Sequence, residues 1–183
     1  MAGISILGYV ARLTARLGSN LIMVTPYTEM VPIAEDVIKE SYIMEGHADA
    51  VTPDMVRYLS GYSHTFKMAY VGMLVRENPA CSILMGPLWS SDALQMTEPG
   101  THLGAIQIGG ADNMNALAMM SLTCDYVLLG EELYCAAAYA SEDKVQLNII
   151  YGADLLKIGV IAIIAIGFIL TMLGINVAPF FDF

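Results

Sequence analysis

The residues of this chain that could do chemistry are carboxylates, hydroxyl groups and paired glycines, and they recur just after short apolar segments. The stretch GAIQIGGADN (residues 104–113) shows the arrangement: an apolar run leads through Gly109 and Gly110 to Asp112 and the expected start of a helix. Glycines at a helix N-terminus can expose backbone N–H groups to a phosphate. Phosphate binding is therefore the first chemistry to weigh.

The charges around this stretch disfavour phosphate. Asp112 falls at the expected N-cap, where its carboxylate would accept the N–H groups that a phosphate needs. Other apolar segments are followed by Asp92, Glu131 and Glu132, and neither GxGxxG nor GxxxxGK[ST] occurs in the chain. We expect the two glycines to permit a tight turn and close packing of a helix instead.

The elements that must position these residues follow a strand-then-helix rhythm that is repeated five times. The apolar segments are residues 21–26, 55–60, 81–88, 104–110 and 126–132, and the helical segments are residues 31–46, 64–78, 90–98, 112–124 and 133–143. This alternation predicts an α/β fold with a doubly wound, mostly parallel five-stranded sheet and helices on both faces, as in Rossmann-like domains. Residues 144–156 could add a sixth strand at the edge.

In an open parallel sheet, ligands bind beyond the carboxyl ends of the strands. The candidate ligand-binding residues at those ends are Gly86, Ser90, Ser91, Asp92, Gly109, Gly110, Asp112, Gly130, Glu131 and Glu132, with Thr25, Tyr27 and Ser60 after the first two strands. The acids among them could converge on a divalent cation. Capping of each helix by its own acid accounts for them locally and is the favoured interpretation, so no metal ligands and no cofactor are assigned.

The chain contains residue types that nucleophilic catalysis uses, but it contains no recognisable catalytic motif. The cysteines and histidines are Cys81, Cys124, Cys135, His47, His64 and His102. An odd number of cysteines without CxxC spacing indicates neither a disulfide framework nor a zinc site, and we expect them to be small buried side chains. No GxSxG motif occurs, and no histidine stands beside a cysteine or serine in a known pattern. No catalytic residue is therefore assigned.

The C-terminal part of the chain has the composition of a membrane helix. Hydrophobic residues make up 56% of the chain and charged residues 14%, against about 25% charged residues in typical soluble domains. Residues 158–177 carry no charge, and a buried core helix of that length would normally show a polar stripe. We predict a single-pass transmembrane helix at residues 157–177 and a short tail at 178–183. Lys144 and Lys157 precede it while Asp182 follows, which predicts that the globular part is cytoplasmic.

The N-terminal segment, residues 1–20, is predicted to be an amphipathic helix ahead of an α/β domain at residues 21–156. Its apolar face, at 4, 3, 4 spacing, is Ile6, Val10, Leu13 and Leu17. We expect this face to pack on the domain rather than on a membrane, because two arginines make a weak membrane face. Arg12 and Arg16 follow the apolar run, the reverse of a secretory signal peptide.

Partners are indicated by the predicted membrane helix and by the net charge. Gly167, Thr171 and Gly174 fall on one face of the helix, a pattern that lets helices approach closely, although such residues are also common in membrane helices generally. The lipid bilayer is thus one expected partner, and copies of the chain or other membrane-protein subunits are another. A net charge of −10 with eight basic residues argues against nucleic acid.

Two segments resemble a known family. GAIQIG (residues 104–109) and CDYVLLGEE (residues 124–132), the latter followed by an alanine-rich helix and the apolar stretch, are similar to a prokaryotic family described only as a membrane-associated domain of unknown function. The likeness runs from about residue 11 to about residue 173. It implies a membrane-tethered α/β domain and no catalytic residues. Members are often longer, with more membrane sequence upstream; because this chain begins almost at its first helix, we expect one anchor.

The expected function is that of a noncatalytic, membrane-anchored α/β subunit that forms or supports an oligomeric assembly at the cell membrane. The alternative is a small-molecule or divalent-metal-binding enzyme or sensor with its site at the strand ends.

Overall fold

Strands and helices alternate along the chain as the apolar pattern indicates. The structure, a computed structural model, describes residues 2–141 and 144–172. The chain divides into two units, Met1–Glu142 and Asp143–Phe183. In their described parts, the first is a mixed α/β unit and the second is one long helix.

The elements of the α/β unit are short. They are α1 (Ala2–Leu17), β1 (Met23–Thr25), α2 (Met30–Met44), β2 (Val56–Tyr58), α3 (Ser63–Glu77), β3 (Cys81–Gly86), α4 (Ser90–Leu103), β4 (Ile106–Ala111), α5 (Met114–Met120), β5 (Tyr126–Leu128) and α6 (Glu132–Ser141). Two single turns of 3₁₀ helix, Ala48–Ala50 and Pro53–Met55, join α2 to β2. Left-handed residues follow four of the described helices, among them Asn78 after α3 with φ 43° and Gly104 after α4 with φ 71°.

Helix α4 runs past the predicted end at residue 98. It continues through Pro99 to Leu103 because Thr97 and Gly100 still face the interior and are buried. Gly100 is required there: a Cβ at this position would lie 2.6 Å from Cδ of Gln107 on β4. Close contact between α4 and β4 therefore depends on the glycine.

The predicted five-stranded sheet is wrong, because the strands form two smaller parallel sheets. β1 pairs with β2 in the register Met23↔Val56 to Thr25↔Tyr58. β4 lies between β3 and β5, with Cys81↔Ile106 and Ile108↔Tyr126 among its pairs. Periodicity identifies apolar strands, but it does not say which strands exchange hydrogen bonds, and three of these strands have only three residues.

The two sheets nevertheless share a hydrophobic cluster. Tyr70, Met73 and Leu74 of α3 and Met96 of α4 are buried in it, and partly buried side chains from both sheets, Val24 of β1 and Leu84 of β3, pack against them. Helix α3 thus covers strands of both sheets with one apolar face.

Helix α1 packs through its small residues. Ala11 and Ala15 are buried with Ile38 and Tyr42 of α2. Gly8 brings the helices close: its missing Cβ would be 3.4 Å from a methyl group of Val37. Small side chains allow the two backbones to approach, so this face of α1 is the one that is buried.

Helix α1 thus packs on the α/β unit as expected, but its buried face is formed by the small residues and not by the predicted apolar face. Ile6 and Val10 are only half-buried, Leu13 is 38% exposed and Leu17 is 76% exposed. These residues lie on a different side of the helix from Ala11 and Ala15, since 4, 3, 4 spacing defines one face of about 100° or more. The larger apolar face points away from the core of the unit.

The second unit contains α7 (Lys144–Met172), so the possible sixth strand at residues 144–156 is helical instead. No proline interrupts this segment, and the apolar pattern continues into the stretch that follows. Among the described residues, one helix is long and apolar enough to span a membrane: Ile150–Met172, 23 residues with mean hydropathy 2.5. None of its residues is buried. Residues 173–177 of the predicted span, including Gly174, and the tail at 178–183 lie outside the described residues.

Candidate functional site

After the two strands of the smaller sheet, β1 and β2, hydroxyl groups accept hydrogen bonds from the backbone of the following loops. Thr25, at the end of β1, is buried, and its Oγ1 accepts a hydrogen bond from the backbone N of Tyr27 at 3.1 Å. After β2, the Oγ of Ser60 accepts from the backbone N of Tyr62 at 3.2 Å. Both hydroxyl groups thus bind their own backbone two residues later, as turn-forming serines and threonines do.

The strongest charge feature of the candidate site is an ion pair at the start of α4. Lys67 Nζ of α3 lies 2.6 Å from Oδ1 of Asp92, and the side chains are 6% and 13% exposed. The hydroxyl groups of Ser91, at 3.3 Å, and Ser63, at 3.5 Å, also face this carboxylate. Asp92 therefore joins α4 to α3 and has its charge compensated within the protein.

Lys67 was missed by the sequence reasoning, although a signal for it exists. It stands three and seven residues before Tyr70 and Leu74, which are buried on the same face of α3. A lysine at a core-facing helical position must be paired, because burying an unpaired ammonium group is costly. Acids at the starts of other helices are the candidate partners, and only the tertiary structure selects Asp92 among them.

Gly109 and Gly110 lie inside β4 and not in a turn after it. The expected tight turn is therefore wrong, whereas the expected close packing is confirmed. A Cβ on Gly109 would lie 2.9 Å from Sδ of Met120 and 3.0 Å from Sγ of Cys124. A Cβ on Gly110 would lie 3.3 Å from Leu133. Side chains from α5, α6 and the loop before β5 thus occupy the space beside these glycines.

Asp112 is not the N-cap of α5. Asn113 takes that position, and its side chain accepts a hydrogen bond from the backbone N of Asn115 at 2.9 Å. Asp112 itself is exposed. The cap moved by one residue because β4 extends through Ala111, one residue past the predicted end of the strand.

The two acids after β5, Glu131 and Glu132, form hydrogen bonds at the start of α6. Glu132 begins α6, and its Oε2 accepts from the backbone N of Leu129 at 2.9 Å. The carbonyl of Glu131 accepts from the backbone N of Tyr134 at 3.0 Å, and Gly130 has a positive φ of 55°. Among the residues that the structure describes, no group of three or more His, Cys, Asp or Glu side chains is arranged to hold a metal ion. The Glu132 carboxylate thus binds backbone N–H just before its own helix, as a local capping residue does.

The remaining candidate residues lie between the end of β3 and the first turn of α4. Gly86 ends β3, and Ser90 and Ser91 begin α4 after the N-cap Trp89. Two open clefts, of about 410 and 420 Å³, lie elsewhere along α1 and α2, and neither is lined by a candidate residue of the strand ends. His47, His64 and His102 lie on three different parts of the unit, at the end of α2, in the first turn of α3 and in the last turn of α4.

A polar network at the opposite end of β4 was not predicted. Gln107, 2% exposed, donates through Nε2 to Thr101 Oγ1 at 3.1 Å and to the carbonyl of Thr123 at 2.9 Å. Its backbone N donates to Oδ2 of Asp125 at 2.8 Å, and its carbonyl accepts from the backbone N of Asp125 at 3.0 Å. The buried Thr97 extends the network to the hydroxyl of Thr123 at 2.6 Å.

This network gives a structural reason for the GAIQIG and CDYVLLGEE segments. Gln107 comes from the first and Asp125 from the second, and Gly109 makes room for Cys124. The network is centred on the buried Gln107 and Thr97 and reaches the exposed Thr101 and Asp125, and satisfied polar groups of this kind help to specify how neighbouring elements are placed. Hydrogen bonds from these two segments therefore connect β4 with α4 and with the residues just before β5.

The cysteines are more exposed than expected. Cys81 and Cys135 are exposed and Cys124 is half-buried, so the prediction of three buried side chains is wrong. Partial burial raises the pKa of the Cys81 and Cys124 thiols, and the negative charge of Asp125 raises both pKa values further. A raised pKa lowers the thiolate fraction at neutral pH, and the thiolate is the nucleophilic form of cysteine.

Comparison with known protein families identifies the family of this chain. The family model described as Domain of unknown function (DUF6754) matches residues 1–180, and the chain belongs to this family. The expected membership of an uncharacterised family is thus confirmed. No curated protein and no solved structure matches the chain.

Proposed function

We propose that this member of the DUF6754 family is a noncatalytic, membrane-anchored α/β subunit. Its α/β unit works at the cytoplasmic face of the cell membrane, and it assembles with copies of itself or with other membrane proteins. The observation that carries the proposal is the apolar span Ile150–Met172 of α7, in which no residue is buried.

The span matches the physics of a bilayer. At 1.5 Å per residue, 23 residues extend about 35 Å, somewhat more than the roughly 30 Å of the hydrocarbon layer. A helix satisfies its own backbone hydrogen bonds, which lipid cannot do. The charged pair Asp154 and Lys157, 3.4 Å apart, sits near the N-terminal end of the span, where it can reach the headgroups. Lysines at that end support a cytoplasmic α/β unit.

Assembly is supported by apolar surface on the α/β unit. Large apolar side chains that are more than half exposed there include Tyr62, Met68, Trp89, Met114, Leu122, Tyr126 and Tyr139. Aromatic residues and methionine are enriched at protein interfaces. In α7, no side chain of the described residues approaches within 4 Å of the Cβ positions of Gly159 and Gly167, so a second helix has room to approach. The Thr171 hydroxyl donates to the carbonyl of Gly167 at 2.8 Å, within its own helix.

A noncatalytic role is supported by what the polar groups at the strand ends do. Asp92 is paired with Lys67, Asn113 caps α5, and Glu132 binds the backbone of Leu129. Each of these groups has a structural partner of its own.

The anchor is tested by placing a charge in the middle of the span. An arginine at the centre of a membrane helix costs about 2.5–3.5 kcal/mol in insertion, so Ile163→Arg should shift the chain from the alkali-resistant membrane fraction toward the soluble fraction. Leu122→Arg is the matched control, because Leu122 is 74% exposed on the α/β unit. Equal fractionation of the two variants, or a parent chain that stays soluble without detergent, would refute the anchor.

Assembly is tested by size in mild detergent with light scattering. The parent chain should be larger than a monomer, and Gly167→Leu should weaken the assembly because it fills the open helix face. Ala165→Leu is the control, since residue 165 lies on a different side of α7 at 100° per residue. A parent chain that remains strictly monomeric at high concentration counts against the proposed assembly.

The second candidate function is a small-molecule enzyme or sensor with its site at the strand ends. It is favoured by one observation, the nearly buried Lys67–Asp92 pair, because paired buried charges also occur at binding sites. Native mass spectrometry of protein extracted gently from membranes distinguishes the two functions. A small molecule that is lost in Asp92→Asn, with the fold retained, would favour the second.

A further inference from the structure

A cleft of about 420 Å³ lies between α2 and the segment that joins it to β2, and it is called here the α2 cleft. Its apolar lining includes Ile43 of α2, which is 52% exposed, and the half-buried Val51 of the joining segment. Three exposed charged residues of α2, Glu35, Asp36 and Lys39, also line it. The α2 cleft is therefore an apolar groove with two carboxylates and one ammonium group beside it.

The α2 cleft lies in a strongly acidic part of the chain. Residues 29–54 contain seven acidic residues and one basic residue, Lys39, so they carry a net charge of −6 out of the −10 of the whole chain. Within the part of the chain that the structure describes, neither Glu35 nor Asp36 takes part in an ion pair. Their charge therefore acts on what enters the cleft, and a concave surface of one sign attracts partners of the opposite sign.

This charge argues against a second copy of the chain as the occupant. Six of its eight basic residues already bind an acceptor within their own chain: Arg12, Arg16, Arg57, Lys67, Arg76 and Lys157. A second copy would bring mainly negative charge to a negative surface, and an anionic lipid headgroup would do the same. The occupant that the charge favours is basic and comes from another molecule.

The apolar lining adds a second requirement, which a simple cation does not meet. Ile43 loses its exposed surface only if apolar side chains cover it, and that loss is favourable. A protein segment with large apolar side chains between lysines or arginines meets both requirements, because its cations can face Glu35 and Asp36 at the same time.

We infer that the α2 cleft is a docking site for a basic segment of a partner protein, which places large apolar side chains on Ile43 and Val51 and cations beside Glu35 and Asp36. The inference rests on the assembly part of the proposed function and names the chemistry of one partner in it. It does not depend on the membrane anchor.

The test measures binding of a short fluorescein-labelled peptide, in which a pair of leucines is flanked by lysines and arginines, to the full chain in a neutral detergent. Fluorescence anisotropy reports the binding, and empty micelles are the blank. One comparison peptide has glutamates in place of the basic residues, and another has serines in place of the leucines. Both comparison peptides should bind more weakly, since each meets only one of the two requirements.

The apolar contact is tested with Ile43→Ser. Its matched control is Ile33→Ser, because Ile33 is 45% exposed on the same helix but does not line the cleft. The charge contact is tested with Glu35→Gln and Asp36→Asn combined. This second variant changes only exposed residues and decides the test if Ile43→Ser lowers the helical circular dichroism signal.

The control for the charge variant is Glu98→Gln combined with Asp112→Asn, which removes the same charge from exposed residues of α4 and of the loop before α5. Each cleft variant should weaken binding of the basic peptide by about fivefold or more, and each control by less than about twofold. Raising the salt from about 0.01 to about 0.1 M should also weaken binding, because the Debye length falls from about 30 to about 10 Å.

Absence of binding overturns the inference, and so do equal affinities of the cleft and control variants or an acidic peptide that binds as well as the basic one. Light scattering and an alkaline wash of the same chain separate this result from the proposed function. A chain that resists the wash and is larger than a monomer, but does not bind the peptide, loses only the docking site. A chain that the wash releases, but that binds the peptide at the cleft, loses only the anchor.

Discussion

The buried ion pair between Lys67 and Asp92 leads to a quantitative prediction. Both side chains are nearly buried, at 6% and 13% exposure, with Nζ and Oδ1 2.6 Å apart. Removing one partner of such a pair leaves an uncompensated charge and costs about 3–5 kcal/mol, whereas replacing both partners with apolar residues is often neutral or stabilising. We expect Lys67→Met and Asp92→Leu each to lower the free energy of unfolding substantially, and the double variant that combines them to restore most of it.

The assay is urea unfolding of the full chain in mild detergent, followed by fluorescence of Trp89. This residue is the N-cap of α4 and the single tryptophan of the chain, so it reports on the helix that carries Asp92. The matched control is the pair of Arg57 and Glu77, at a similar distance of 2.7 Å but with side chains 25% and 33% exposed. Exposed pairs contribute about 0–1 kcal/mol, so Arg57→Met should cost little.

Two results would refute this reasoning. One is a cost for Lys67→Met as small as that for Arg57→Met, which would show that the pair is screened by water. The other is a double variant whose cost equals the sum of the two single costs, because independent effects add whereas paired charges do not.

Three further predictions follow from glycine packing, pH and thiol chemistry. Gly100→Ala should cost about 1–3 kcal/mol in thermal unfolding because its Cβ would overlap the Gln107 side chain, whereas Gly72→Ala in the open part of α3 should stabilise by about 0.5–1 kcal/mol; equal effects would contradict the packing argument. The hydrogen bond from its arginine partner lowers the pKa of Glu77 below 4.5, so this contribution to stability is complete above pH 4.5 and is lost as the pH falls through the lowered pKa. Glu77→Gln should therefore flatten the acid side of a plot of thermal midpoint against pH, and an unchanged slope would argue against the bond. Partial desolvation raises the pKa of the Cys81 thiol above its ordinary value, so its alkylation, measured by mass spectrometry of the modified peptide, should be slow at neutral pH and accelerate in alkali; fast neutral alkylation would contradict the raised pKa.

Local pattern alone determined the kind and order of the main elements of the α/β unit, although the possible sixth strand after them is part of α7. Apolar runs separated by turn residues identified β3 and β4, and 3.6-residue periodicity identified α2 and α3, because each signal is set by how neighbouring side chains alternate around one backbone. The uncharged C-terminal stretch identified α7 as a helix of membrane-spanning length for the same reason: length and composition are properties of a single segment. Membership of an uncharacterised family was also expected from the sequence, and the family model that matches residues 1–180 confirms it.

Tertiary contacts decided the rest. Strand pairing into two sheets, the buried face of α1 and the partner of Lys67 all depend on residues distant in sequence, whose approach no local periodicity records. The clearest case is α1: Leu13 and Leu17 were expected to face the core, but the side of α1 that packs against α2 is formed by Gly8, Ala11 and Ala15, with Leu7 beside them. Packing selects the face that fits, and hydrophobicity alone does not specify fit.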